Sequence, residues 1–177
     1  MNLNEFGRQL GIEVYGELDS RTLVPQERIR AYCRENKCGN YGNNYMCPPH
    51  IGSINILRGK LKSYRKGILL RYSQDIDVIN DREGVMRTQK EFHQKILRLE
   101  DYLRKRGNRE VWGLIGGNCG LCQVCQARTG QPCSDPLNAR MSLEAIGIDV
   151  QALLERLGLD SRFQAHKIYW TGCILTA

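Results

Sequence analysis

The stretch 110-EVWGLIGGNCGLCQVC-125 governs how this chain is read. Its first six residues, 110-EVWGLI-115, have the bulky, β-branched character of a buried strand. The strand runs straight into Gly116 and Gly117 and then into Cys119, Cys122 and Cys125, three thiols at successive i+3 positions, with Cys133 farther on. A strand end therefore delivers a cysteine-rich loop, and the segments on either side show what surrounds it.

Upstream, 84-GVMRTQKEFHQKILRLEDYLRKRG-107 places Val85, Phe92, Ile96, Leu99 and Leu103 at helical spacing. This predicts an amphipathic helix closed by Gly107. Before it, 67-GILLRYSQ-74 reads as a buried strand, and 11-GIEVYGEL-18 as another. Pro25 opens a short helix, 25-PQERIRAYC-33, which carries the first cysteine of a Gly-, Asn- and Pro-rich loop. Downstream, 141-MSLEAIGID-149 holds a short helical piece. Asp149 then caps 150-VQALLERLG-158, and 166-HKIYWTGCIL-175 is the last strand. The resulting β-helix-β-helix-β core predicts a small layered domain of the α/β (or α+β) class, with residues 1–177 forming a single metal-binding domain and cysteine loops at 33–49 and 119–136.

Composition limits the chemistry of the thiols. A chain of 177 residues is long enough to bury a hydrophobic core without disulfides. The start, "MNLNEFGRQLGIEVYG", has neither a basic leader nor an unbroken apolar run, and no stretch approaches the ~18 apolar residues of a membrane span. The expectation is a cytoplasmic protein without a membrane partner. In that compartment thiols stay reduced, so eight cysteines point to metal or redox chemistry. The net charge of +7 admits an acidic partner, and residues 84–107 contribute seven Lys or Arg against three acids. This basic helix face is either simply solvated or a docking surface for an acidic redox partner protein; without interleaved aromatics, nucleic acid is disfavoured.

Two constellations result. Cys33, Cys38 and Cys47 lie in 33-CRENKCGNYGNNYMCPP-49, and Cys119, Cys122, Cys125 and Cys133 in 119-CGLCQVCQARTGQPCSDP-136. In C-x2-C-x2-C a short loop curls around a cubane so that three thiolates reach three irons and a more distant one supplies the fourth. Zinc more often takes thiols as separated pairs. The triplet therefore favours 4Fe-4S chemistry, with one or two clusters, and zinc is the alternative cofactor. Gly116, Gly117 and Gly120 are expected to let backbone N–H groups turn toward sulfur.

The simplest pairing gives the second loop one cluster and the first loop another with an open iron. A crossed pairing through Cys47, which precedes proline, stays open. His50 and Cys173 are further candidate ligands, though Cys173 sits in an apolar strand pattern typical of a buried thiol. His93 and His166 read as structural, and Tyr41 and Tyr45 as shields of a metal from water. No catalytic triad order or nucleotide fingerprint is present.

Together these two cysteine motifs, extended through "LNARMSLEAIGIDV", resemble a family of small prokaryotic proteins described as predicted metal-binding, with a domain of unknown function. The matching positions are Cys33, Cys38, Asn40, Tyr41, Gly42, Tyr45, Cys47, Pro48 and Pro49, then Cys119, Cys122, Cys125, Pro132, Cys133, Ala139, Arg140, Glu144, Gly147 and Asp149. Two positions depart from the pattern: Tyr45 stands where tryptophan is commoner, and Ser134 where a basic residue often follows the cysteine. The resemblance implies metal binding and no particular reaction. Three functional expectations follow: an iron-sulfur protein in electron transfer or a small reductase role, an enzyme using an open iron as a Lewis acid, or a zinc-stabilised protein or nucleic-acid binding module.

Overall fold

A computed structural model describes residues 2–177. Its four strands, β1 (Glu13–Asp19), β2 (Lys66–Asp75), β3 (Val111–Leu114) and β4 (Lys167–Thr176), form one sheet in the order β1-β2-β4-β3. Every pairing is antiparallel. The longest runs from Lys66↔Thr176 to Asp75↔Lys167, and Leu114↔Cys173 seats β3 on the other side of β4. Since β2 and β3 both oppose β4, they run parallel to each other with β4 inserted between them, a split β-α-β arrangement. The expected alternation of strands and helices is present, and the antiparallel sheet makes the fold mixed α and β of the α+β kind.

Five helices accompany the sheet: α1 (Leu3–Gln9), α2 (Glu27–Arg34), α3 (Ile54–Leu61), α4 (Arg82–Arg104) and α5 (Val150–Arg156). Two of them, α1 and α3, were not anticipated. For α1 the signal was a capping box, in which the Asn2 side chain accepts from Glu5 N–H and the Glu5 carboxylate accepts from Asn2 N–H. For α3 it was Ser53 as N-cap ahead of Ile54, Leu57 and Leu61, all buried. Helix α4 is capped by Asp81, whose carboxylate accepts from Gly84 N–H; Gly107, at φ 92°, closes the turn beyond its end. The helical piece expected at 141–149 is instead a run of turns. Ser142 forms a bridge with Ile115, so the segment serves as an edge partner of β3 rather than a helix.

Alternation along the strands divides the core. Ile68, Leu70 and Tyr72 of β2 pack with Ile174 against Phe92, Ile96, Leu99 and Leu103 of α4. Leu69, Trp112, Leu114, Cys173 and Leu175 face the opposite layer of α3, α5 and residues 143–148. Apolar layers on both faces explain why β2 reads as a continuous apolar run. Phe92, Ile96 and Leu99 are fully buried, each worth roughly 1.5–3 kcal/mol. Cys173 is also fully buried within the leucine layer, where burial pushes its thiol up to about 12. It packs as a small hydrophobe.

Helix α4 approaches β3 at Gly113, where a Cβ would lie 2.6 Å from Oε1 of Glu100 and 2.7 Å from Cγ2 of Ile96. Replacing Gly113 by Ala is expected to cost about 1–3 kcal/mol by forcing helix and strand apart, measured by urea unfolding. An unchanged midpoint would contradict the tight crossing.

Candidate metal centre

The buried face of α4 carries Thr88, Gln89, His93 and Glu100 among its apolar residues. Three of these hold the second cysteine loop. Gln89 Nε2 donates to the backbone oxygen of Asn118 at 2.5 Å, immediately before Cys119. His93 Nε2 contacts the backbone oxygen of Asn138 at 2.9 Å, beyond Cys133. The Glu100 carboxylate accepts from Nε of Arg140 at 3.0 Å, from its NH2 at 2.6 Å, and from Gly113 N–H at 2.5 Å. Arg140 in turn directs its backbone N–H toward the sulfur of Cys119, an influence that lowers that thiol's pKa. The helix whose basic face reads from the sequence as either solvated or a docking surface is thus also the scaffold that fixes both ends of the loop. His93 reads as structural from the sequence, whereas Gln89 and Glu100 carry no local signal that sets them apart from the exposed polar residues of the helix.

Within the loop, Cys119, Cys122, Cys125 and Cys133 line a single cavity with Asn44, Tyr45, Met46, Leu121, Asp135 and Ala139. Burial raises the Cys119 pKa, opposed by backbone N–H groups of Leu121 and Arg140 directed at its sulfur. Cys122 Sγ lies 3.1 Å from the hydroxyl of Ser134, so the residue that departs from the family pattern forms a hydrogen bond with a thiol. Gly120 precedes Leu121, whose N–H is directed at Cys119, whereas Gly116 and Gly117 meet close packing. A Cβ on Gly116 would stand 3.0 Å from the backbone oxygen of Thr171, and one on Gly117, at φ +75°, 2.8 Å from Nε2 of Gln89. They allow the chain to pass closely between β4 and α4, while the polar groups nearest the sulfurs are the backbone N–H groups of Leu121 and Arg140 and the Ser134 hydroxyl.

The first loop begins on α2, which carries Cys33 in its last turn, and is held by asparagines. Asn36 adopts φ 52° and accepts from Tyr41 N–H, and Asn43 donates to the Gly39 carbonyl. Asn44 is buried and donates to the backbone oxygen of Cys119 at 2.9 Å, while its own oxygen accepts from Met46 N–H. The Tyr45 hydroxyl donates to the Gln131 carbonyl at 2.7 Å. Those two bonds join the first cysteine loop to the second. Tyr45 also lines the four-cysteine cavity, in the position of a shield.

Cys47 occupies the centre of the arrangement. Burial pushes its thiol up to about 12, and the thiols of Cys38, Cys33, Cys119 and Cys125 add to the effect, so it senses members of both constellations. Cys33 and Cys38 border a different cavity, of about 520 Å3, together with Glu144, Ile148 and Asp149. The Cys33 pKa is raised by burial and next by Cys38. The His50 ring is engaged by the loop itself, with Nε2 3.0 Å from the Gly42 carbonyl and its face 5.1 Å from Tyr45. Cys173 lies in the leucine core apart from these thiols. Among the described residues, no three His, Cys, Asp or Glu side chains are drawn together as tightly as one metal ion requires.

A family model for predicted metal-binding proteins, DUF2284, matches residues 16–176. The chain belongs to this family. The match spans both cysteine loops and all four strands except the first residues of β1, in agreement with the resemblance in the motifs. Searches of curated proteins and of solved structures returned no match. No helix among the described residues is long and apolar enough to cross a membrane.

Two measurements probe this scaffold. Asn44→Ala removes the bond to the Cys119 carbonyl, which keeps only Asn118 Nδ2 as donor, and leaves Met46 N–H without its acceptor, so a loss of about 1–2 kcal/mol is expected in denaturant unfolding, with weaker metal retention. His93 is fully buried, and burial lowers its pKa below the ordinary value. As pH falls below about 6.5, the unfolded chain takes up a proton that the folded chain refuses, and stability declines toward the lower folded pKa. His93→Gln is expected to flatten that part of the stability–pH curve; an unchanged slope would assign it to other groups.

Proposed function

We propose that this protein binds iron-sulfur clusters through its two cysteine loops and serves in electron transfer or as a small reductase. One observation carries the reading: Cys119, Cys122, Cys125 and Cys133 border one cavity while N–H and O–H donors point at two of their sulfurs. Hydrogen bonds to sulfur stabilise the reduced, more negative state and help set the potential of a thiolate-held cluster. That donor set, with the C-x2-C-x2-C spacing, fits a 4Fe-4S cluster. Such a cluster, when bound, supplies one-electron chemistry.

The protein's own groups would then hold and insulate it. Cys119, Cys122, Cys125 and Cys133 supply four thiolates, and Leu121, Arg140 and Ser134 temper the charge on sulfur. Cys33, Cys38 and Cys47 supply three thiolates to a second centre whose remaining position is open to a non-thiolate ligand. Burial raises the thiol pKa of Cys33, Cys47 and Cys119, so metal binding there must displace protons, most of all at Cys47. Placed between the sets, Cys47 favours two centres close enough for electron exchange, and it keeps the crossed pairing a working arrangement. Exposed Lys90 and Arg98 on α4 give an acidic redox partner a basic surface, whereas Lys95 is spent on the Leu10 carbonyl.

Protein made anaerobically with ample iron is expected to be brown, with broad absorption near ~400 nm and roughly four to eight irons and matching acid-labile sulfide per chain. Zinc without iron or sulfide under those conditions overturns the proposal. Cys133→Ala is expected to remove one centre and Cys47→Ala the other. Loss of both centres in either variant would replace two independent sites with the crossed arrangement.

A further inference from the structure

Beyond the cysteine loops, a cavity of about 400 Å3 opens along β4. Arg71, Gly116, Gly117, Glu144, Tyr169 and Trp170 help to line it. Its size falls in the range of small-molecule sites, and its wall is largely apolar and aromatic with a few polar groups, as such sites are built. Arg71 is the anomaly. It lies on β2, is only 5% exposed, and forms no ion pair with any carboxylate among the described residues. Its guanidinium stacks 3.9 Å above the Tyr169 ring and lies near the Tyr15 hydroxyl, and its Nε has no partner.

A buried cation without a counter-charge is costly to fold around, and arginine is rarely buried unless paired. None of the nearby carboxylates pairs with it directly: Glu13, opposite Arg71 in the strand register, accepts from the Tyr15 hydroxyl at 2.6 Å, and Glu144 on the cavity wall has an unpartnered Oε2 but forms no ion pair with Arg71. Asp160 is bound to Arg162 at 2.9 Å, and Asp75 lies 3.7 Å from Lys167. The other cationic side chains of the wall, Arg162 and Lys167, are therefore already matched, and Arg71 remains. We infer that this cavity is a binding site for a small organic carboxylate with an apolar body, whose anionic group pairs with the Arg71 guanidinium while Tyr169 and Trp170 flank the rest.

A carboxylate suits the site better than a phosphate. One unmatched cation neutralises one charge, and Glu144 on the same wall opposes a second. Glu144 also borders the cavity of Cys33 and Cys38, so the carboxylate site adjoins the first cysteine set through a shared side chain. Gly116 and Gly117 connect its other wall to the strand end that leads to Cys119. This placement suits a substrate or effector of the metal centre, although binding itself does not depend on which metal the cysteines hold.

The test is calorimetric titration of the metal-loaded protein with benzoate, neutral benzamide and phenyl phosphate. Benzoate is expected to bind with a roughly millimolar Kd, about tenfold tighter than benzamide. In Arg71→Gln the preference for benzoate over benzamide should disappear. Ser161→Trp, on the loop that walls the cavity, is expected to weaken benzoate about tenfold while leaving Arg71 in place. Equal affinity for benzoate and benzamide in the native protein overturns the inference, as does a charge preference that survives Arg71→Gln. Phenyl phosphate binding more tightly than benzoate overturns the assignment to a carboxylate. If Arg71→Gln does not fold, undiminished benzoate binding by Ser161→Trp overturns the site.

Discussion

Glu100 is the group on which most of the architecture converges. Its carboxylate is fully enclosed, accepts from the backbone of β3 at Gly113, and is clasped by Arg140 at the end of the second cysteine loop, with Arg104 at 3.4 Å on its own helix. A buried carboxylate is tolerated only when its charge and lone pairs are all answered. The answers here come from a helix, a strand and a loop, so these three cannot move independently. Through Arg140 the same carboxylate directs an N–H toward the sulfur of Cys119, linking the interior of the domain to the chemistry at its surface.

The two cysteine loops achieve rigidity by different means. The second is braced from below by α4, through Gln89, His93 and Glu100. The first is held at its ends by α2, which carries Cys33 and whose buried Arg30 donates to the Gly52 carbonyl at 2.8 Å, and between them by its asparagines, which imitate backbone turns and reach across to the second loop through Asn44. Exposure follows this difference: Cys38 is exposed, while Cys119 is partly covered and Cys47, at the junction, is buried. The set around Cys33 and Cys38 is accordingly the one to which a small molecule has access, and the four-cysteine set is the more insulated.

Much of the frame was legible in the sequence because it rests on local signals. Phe92, Ile96 and Leu99 fell at helical spacing, 67–74 was a continuous apolar run, and Asp149 stood as a cap whose carboxylate accepts from Ala152 N–H. Strand direction was not legible. Alternating strands and helices suggest parallel neighbours, and only the long return of the chain after β3 allows β4 to slip between β2 and β3. The segment 141–149 has helix-forming residues, yet its backbone is taken by Ile115 of the neighbouring strand, a tertiary demand that local propensity does not register. All seven motif cysteines were visible by spacing. Their supports were not, because Gln89, His93 and Glu100 gain meaning only when α4 is laid under a loop tens of residues away. The unmatched Arg71 was equally hidden, since burial and lack of a partner belong to the folded chain.

The position of β4 has a consequence in time. It is the strand that joins β2 to β3, yet it follows both in chain order. Until it is made, β3 has no partner strand, and Gly116 and Gly117 have neither Thr171 nor Trp170 to lie against. The second thiol loop is therefore without its full scaffold until that strand is in place. The seat of that loop is complete only once β4 has docked, so its geometry is a late product of folding set by the order of the strands in the chain.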